Sequence, residues 1–325
     1  MSSQKFKSVN DEFLIRNSIS DELLDKCFTF VINQRCIERT KVEEAYKKNI
    51  SLSIEFPQNI KDEGVDVVIK SKFNNNDKFV NLNKSVIFYE YKNSGLRIEK
   101  VKKLQLGNIK FFPQTHVSGD LIFQQLAKGI YFRPEKLSEL SQNLTNNIAE
   151  TINILSKLEK NKIKVSNYLD NLKFTEIQDS LNFQILNTFI LIIKNHKDEE
   201  INISLTHGDF KFEHLFTKDN QLEYLIDWEN VGLRVIFFDL MNFFIPWFVH
   251  RSFNYIQIKD YINQFVKNYL SHLEDCIKEK YDLYFSVFAL ERYIRINDKK
   301  NLEFDKNKAY QRYNILFKSL ANELK

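Results

Sequence analysis

The sequence predicts an α+β protein in two parts, a smaller β-rich part followed by a larger, mainly helical one. Three observations carry that reading. Short β-branched and aromatic runs separated by turn residues lie within residues 1–126. From Lys136 onward, apolar residues recur at helical spacing. The helical half is broken once, by two short apolar runs followed by acids, Asp209 and Asp227. A chain of 325 residues is long for one minimal domain and suits two lobes.

In chain order, residues 51–56 and 64–73 read as strands. The second contains Val65-Asp66-Val67-Val68-Ile69, rich in β-branched residues and preceded by a glycine. The polar run 74–77 reads as a turn, and 83–92 as a helix that Gly95 soon ends. Residues 116–126 read as two short strands around Ser118-Gly119. Leu137, Leu140, Leu144, Ile148, Leu155 and Leu158 then mark a helix, 178–194 a second, and 256–324 a mostly helical tail. The boundary falls near residues 126–129, giving lobes 1–126 and 127–325.

Composition narrows the class. Hydrophobic residues make up 43% and charged residues 28%, the balance of a folded chain with real cores. A net charge of +4 is too mild to call for nucleic acid. Residues 1–13 have no apolar signal core, and the best apolar run, 189–193, is too short to span a bilayer. Cys27, Cys36 and Cys276 show no metal-ligand spacing and suggest reduced, buried thiols in a cytoplasm.

The chemistry lies in the interruption. The run 203–205 leads into Thr206-His207-Gly208-Asp209, and 222–226 into Asp227-Trp228-Glu229. Phosphoryl transfer asks little covalent help of a protein. It needs a metal to neutralise phosphates, a group to orient the attacking hydroxyl, and fixed geometry. Magnesium takes hard oxygen ligands. Two acids carried at strand ends, expected here on one hairpin, could serve the nucleophile and the metal respectively.

His207-Gly208-Asp209-Phe210-Lys211-Phe212-Glu213-His214, with the later Leu225-Ile226-Asp227-Trp228-Glu229, resembles the catalytic loop and metal motif of the aminoglycoside phosphotransferase and choline kinase superfamily, relatives of protein kinases. The resemblance implies a bilobal protein-kinase-like fold that uses ATP and Mg. It implies Asp209 as catalytic base, Asp227 as main Mg ligand and His207 as a brace of the loop. Asp239, in Phe237-Phe238-Asp239-Leu240, would anchor that loop. Lys211 stands where protein kinases carry a lysine that contacts the transferred phosphate. His214 replaces the family's second metal-binding Asn; a metal ligand, a phosphate donor and a buried structural histidine all stay open.

Val67-Val68-Ile69-Lys70 resembles the strand whose lysine grips the nucleotide phosphates, and Glu90 is the candidate helix partner for Lys70. Gly64 is the only glycine before Asn93, so a Gly-rich phosphate loop is absent. Residues 121–126 resemble the linker strand between lobes, with backbone around Gln125, Leu126 and Ala127 binding adenine and Lys128-Gly129 forming the following turn. The Lys- and Arg-rich stretch from Lys70 to Lys110 is a solvated face or an anion-binding surface. Trp247 lines an acceptor pocket or packs a core. The function expected is ATP- and Mg-dependent phosphotransfer to a hydroxyl of a small molecule, a sugar or an amino alcohol. The alternative is a pseudokinase acting as a binding module. Neither nucleic acid nor a membrane span is expected, and the sequence sets no oligomeric state.

Overall fold

A computed structural model describes residues 4–17, 19–35, 38–70, 77–90, 99–100, 102, 104–105, 107, 109–127, 129–132, 139–172, 183–249, 253–297, 320 and 322. The expected turn at 74–76, Cys36, Leu137, Lys128, the Trp247 side chain, the start of the helix expected at 178, and most of the tail beyond 297 lie outside these residues. The chain divides into two compact units, residues 1–141 with 213–226, and residues 142–212 with 227–325. This division differs from the expected 126/127 boundary: the first unit runs past it and includes a hairpin from the second half.

The first unit is built on one antiparallel sheet. Its strands are β1 (Gln4–Ser8), β2 (Phe13–Arg16), β3 (Ser51–Ile54), β4 (Val67–Ile69), β5 (Lys78–Asn81), β6 (Val86–Glu90), β7 (Thr115–Ser118) and β8 (Leu121–Gln125). They lie in the order β3-β1-β2-β4-β5-β6-β8-β7. Helices α1 (Asp21–Arg35) and α2 (Arg39–Lys48) follow β2, and α3 (Gln58–Glu63) follows β3.

Side chains alternate across the pleat. Phe13, Ile15, Val67 and Val80 pack with Cys27, Phe28, Phe30 and Val31 of α1 and Val42 of α2. Leu14, Val68, Phe79, Phe88 and Phe123 pack in a second cluster with Phe6 and with Ile60 of α3. With both faces covered, the inner strands β2 and β4 carry unbroken apolar runs, Phe13-Leu14-Ile15 and Val67-Val68-Ile69. Ring contacts link the second cluster across the sheet: Phe6–Phe56 at 5.6 Å, Phe56–Phe79 at 5.5 Å, Phe79–Phe88 at 5.6 Å, Phe88–Phe123 at 5.4 Å and Phe123–His116 at 4.7 Å.

Two expectations are corrected in this unit. The helix read at 83–92 is strand β6, paired with β5 and β8. Val86, Ile87, Phe88 and Tyr89 are β-branched or aromatic, and here that local preference agrees with burial in a sheet. Residues 1–50, for which the sequence predicts no element, supply two strands and two helices. Cys27 is buried as expected, and burial pushes its thiol up to about 12, away from nucleophilic use.

The first unit also holds a hairpin of strands Leu215–Lys218 and Gln221–Leu225. Asp219 and Asn220 both take positive φ, 50° and 59°, as a two-residue primed turn demands. The hairpin pairs with Ile130–Tyr131.

The second unit wraps helices around a three-stranded sheet whose central strand is Glu200–Thr206, flanked by Asn161–Lys164 and Gly232–Val235. Leu144, Ile148 and Leu155 are buried on helix Gln142–Lys157, as their spacing predicts. Helix Tyr255–Tyr269 starts on a capping box between Asn254 and Gln257. Phe189 meets Phe285, and Phe238 meets Phe288, inside the helical core. Among the described residues no helix is long and apolar enough to cross a membrane.

Phe88 is fully buried on a strand that the sequence alone makes helical. Phe88→Ala should cost about 3–5 kcal/mol of stability, measured by urea unfolding. A cost under about 1 kcal/mol would place the residue outside a packed core.

Candidate active site

The site grows from the end of the central strand Glu200–Thr206. That strand is held on both sides, and its last register pair is Thr206 with Gly232. The chain therefore leaves the sheet at a fixed point and turns at once. Gly208 makes the turn with φ +81°, and a Cβ there would overlap Asn230 O and Arg234 Nη1. Only glycine fits both the dihedral and the space.

The turn is fastened from below by Asp239, in the first turn of helix Phe238–Val249. The His207 and Gly208 backbone N–H groups donate to its two oxygens, at 2.6 and 2.8 Å. Burial pushes the Asp239 carboxyl up, while His207 and the two N–H donors pull it back toward the charged form. His207 is fully buried against Trp228, with ring centroids 4.5 Å apart. The Asp209 N–H donates to His207 Nδ1 at 3.3 Å. Asn242 Nδ2 donates to Phe210 O at 2.9 Å and fixes the far side of the loop.

Asp209 is thus presented by a loop anchored on three sides. Lys211 Nζ lies 2.9 Å from its Oδ2, and Arg292 Nη2 lies 3.3 Å from its Oδ1. Asp227 is held in the left-handed region, at φ 66° and ψ 46°, where Asp is among the tolerated residues. A short 3-10 turn, Trp228–Asn230, follows it. One carboxylate oxygen from each of Asp209 and Asp227 lies within 4.8 Å of the other. Two such charges repel by about 3–4 kcal/mol at an effective dielectric of about 20. Lys211 and Arg292 offset part of that on the Asp209 side, which leaves the Asp227 carboxylate as a hard oxygen donor suited to a cation such as magnesium.

The two acid-bearing segments share one buried support. Arg234, 2% exposed, donates through Nη1 to Thr206 Oγ1 at 2.7 Å and through Nη2 to Asn230 O at 2.7 Å. Its Nε donates to the fully buried Glu291 at 3.0 Å. Glu291 also accepts from Tyr168 and from Arg295. One guanidinium therefore ties the root of the Asp209 loop to the turn after Asp227 and to helix Tyr281–Asn297.

Asp209, Lys211, Asp227 and His207 are brought together in the second unit. Asp209 and Asp227 do not share a hairpin, as the sequence suggested. Asp209 follows Glu200–Thr206 and Asp227 follows Gln221–Leu225, which belong to different sheets. The hairpin is instead inserted between them. The remaining predicted residues belong to the first unit. Lys70 follows β4 and pairs with Asp77 at 2.5 Å. Glu90 lies on a strand, not on the expected helix, and accepts from Asn59. The Gln125 and Leu126 N–H groups donate to Gln114 O and Ser85 O, and Ala127 follows them. His214 is buried, and its carbonyl accepts from Ile226 N at 3.0 Å, closing the root of the hairpin. Sequence reasoning missed Arg234 and Arg292. Neither sits in a recognisable motif, and only folding brings them to the acids.

Residues 153–269 match the sequence model of the phosphotransferase enzyme family. No curated protein matches the chain. Among solved structures, choline kinase LicA from Streptococcus pneumoniae superposes with a TM-score of 0.55 at 16% identity, covering 80% of this chain and 96% of its own. A thermostable mutant of aminoglycoside phosphotransferase APH(4)-Ia gives 0.53 at 12% identity, covering 80% and 96%. The gentamicin complex of APH(2″)-IIa gives 0.51 at 15% identity, covering 81% and 99%. The fold is that of the kinase-like phosphotransferases, the superfamily that the motif residues resemble.

Gly208→Ala forces a strained dihedral and a steric overlap at the same residue. It should lower stability by at least about 2 kcal/mol, read by denaturant unfolding. A near-neutral result would mean that the turn is not built as described.

Proposed function

We propose that this protein is a small-molecule kinase that moves the γ-phosphate of ATP to a hydroxyl, on a sugar or an amino alcohol, with Mg as cofactor, in the cytoplasm. The carrying observation is the pairing of Asp209 and Asp227 on rigidly supported loops, with oxygens within 4.8 Å. The kinase-like fold supports it, and so does the family match across the segment that contains both acids.

In this reading Asp209 accepts a hydrogen bond from the acceptor hydroxyl and orients it for in-line attack. Lys211 and Arg292 each meet one oxygen of the Asp209 carboxylate. Lys211 is the more exposed of the two cations, with a side chain 36% accessible against 16% for Arg292. It is the group assigned to the transferred phosphate. Asp227 supplies hard oxygen to Mg, and His214 is the proposed further ligand. Bound Mg would neutralise phosphate charge. Lys70 is assigned to the nucleotide phosphates with Glu90 as its proposed partner, and the backbone of Gln125, Leu126 and Ala127 is assigned to adenine, with the Gln125 and Leu126 N–H groups already donating within the first unit.

A pseudokinase is the second reading. The partners of Lys70 and Glu90 favour it, because each is held by a residue other than the other. Calorimetric or thermal-shift titration with ATP, with and without magnesium, separates the two readings. Stabilisation of about 2–3 kcal/mol is expected near 100-fold excess over Kd, dependent on magnesium and lost in Asp227→Ala. No response to any nucleotide would sink the kinase reading.

Asp209→Ala should abolish turnover of a hydroxyl acceptor while leaving ATP affinity within about twofold, since its role is confined to orienting the nucleophile. Full turnover in that variant, measured by ADP release, would remove Asp209 as the base.

A further inference from the structure

We infer that Arg292 is a positioning residue that holds the Asp209 carboxylate in the orientation required for phosphoryl transfer; this rests on the kinase reading above. The argument is geometric. Arg292 reaches Asp209 Oδ1 at 3.3 Å from a helix 83 residues away in sequence. Lys211 reaches the other oxygen at 2.9 Å from the same loop. The two oxygens are held from two directions, one local and one remote, which fixes the plane of the carboxylate as well as its charge.

The remote hold is the stiffer of the two. Glu291, the neighbour of Arg292, is fully buried and bound by Arg234, Arg295 and Tyr168. Arg234 in turn grips Thr206 and Asn230, the residues that flank the loops of Asp209 and Asp227. Helix Tyr281–Asn297 is therefore pinned to the very segments whose acid Arg292 contacts. The Arg292 backbone cannot shift without moving Glu291, so its guanidinium arrives at a set height. Lys211 sits on the Asp209 loop itself and is the more exposed of the two cations, which suits a group that must follow a moving phosphate.

This division of labour makes a specific prediction. A carboxylate free to rotate should still bind nucleotide but should misplace the nucleophile, and small misplacements cost rate. ATP hydrolysis with water as acceptor serves as the probe, on the full chain, for wild type, Arg292→Lys, Arg292→Gln, Asp209→Asn and the double variant. Arg292→Gln should lower kcat roughly 10- to 100-fold with KM for ATP unchanged. Arg292→Lys should recover part of the loss. The double variant should be no slower than Asp209→Asn alone, because both act through one carboxylate.

Carbodiimide labelling of Asp209, counted by peptide mass, gives a readout that needs no turnover. It should rise severalfold in Arg292→Gln and fall back in Arg292→Lys. Unchanged kcat, unchanged labelling, or a loss that adds fully to that of Asp209→Asn would overturn the assignment. So would a rise in KM with a falling melting temperature, the signature of a merely structural role. Failure of the wild type to bind ATP with magnesium would instead overturn the kinase reading itself. Where the wild type binds but does not hydrolyse, the labelling result decides.

Discussion

The Asp239 carboxylate accepts from two consecutive backbone N–H groups, those of His207 and Gly208, in a fully buried setting. Everything proposed for Asp209 depends on that contact. A tight turn leaving a sheet exposes donors that the sheet no longer uses, and burying them unpaired costs about 1–3 kcal/mol each. Asp239 pairs both at once, with charge-assisted bonds that are stronger than neutral ones. Its own desolvation penalty is the cost, visible in the upward push on its carboxyl. The contact persists because the donors are backbone and cannot swing away. A side-chain donor could relax; the His207–Gly208 peptide units cannot move without dragging Asp209.

Arg234 plays a complementary part at the other side of the turn. Buried ion pairs give little net stability against hydrophobic replacements, so Arg234–Glu291 is poorly explained as a stability device. What the pair does supply is registry. Its guanidinium bonds to Thr206 and Asn230 as well as to Glu291, so three segments distant in sequence take up one relative position. Gly208 belongs to the same arrangement: the space a Cβ would need is the space the guanidinium and Asn230 O occupy. The glycine of the motif is thus explained by Arg234, a residue outside the motif.

That relation shows what was legible in the sequence. Asp209, Asp227 and Asp239 could be read because each sits in a short local pattern, and the loop chemistry needs those residue types at those spacings. The helix at 142–157 was legible through Leu144, Ile148 and Leu155, since one buried face imposes a period. Strand β6 was not legible: Val86, Ile87, Phe88 and Tyr89 are apolar in succession on a sheet packed on both faces, so no alternation marks them. The same cause hid β2, where Phe13, Leu14 and Ile15 are buried in succession. Arg234 and Arg292 were invisible for a different reason. Arg234 meets Thr206 28 residues away and Glu291 57 away, Arg292 meets Asp209 83 away, and nothing in their local sequence distinguishes them from surface arginines.

The hairpin between the two acids follows the same logic. The chain leaves the second unit after Phe212 and returns at Asp227. The bond from Ile226 N to His214 O closes the root of the hairpin. The acids themselves are positioned elsewhere, Asp209 by Asp239 and both flanking segments by Arg234. The hairpin strands lie between the two acids in sequence. Their own turn is specified locally, by Asp219 and Asn220 at positive φ. The turn at Gly208 and the turn of the hairpin are therefore specified by different residues, Asp239 and Arg234 for the one and Asp219 and Asn220 for the other.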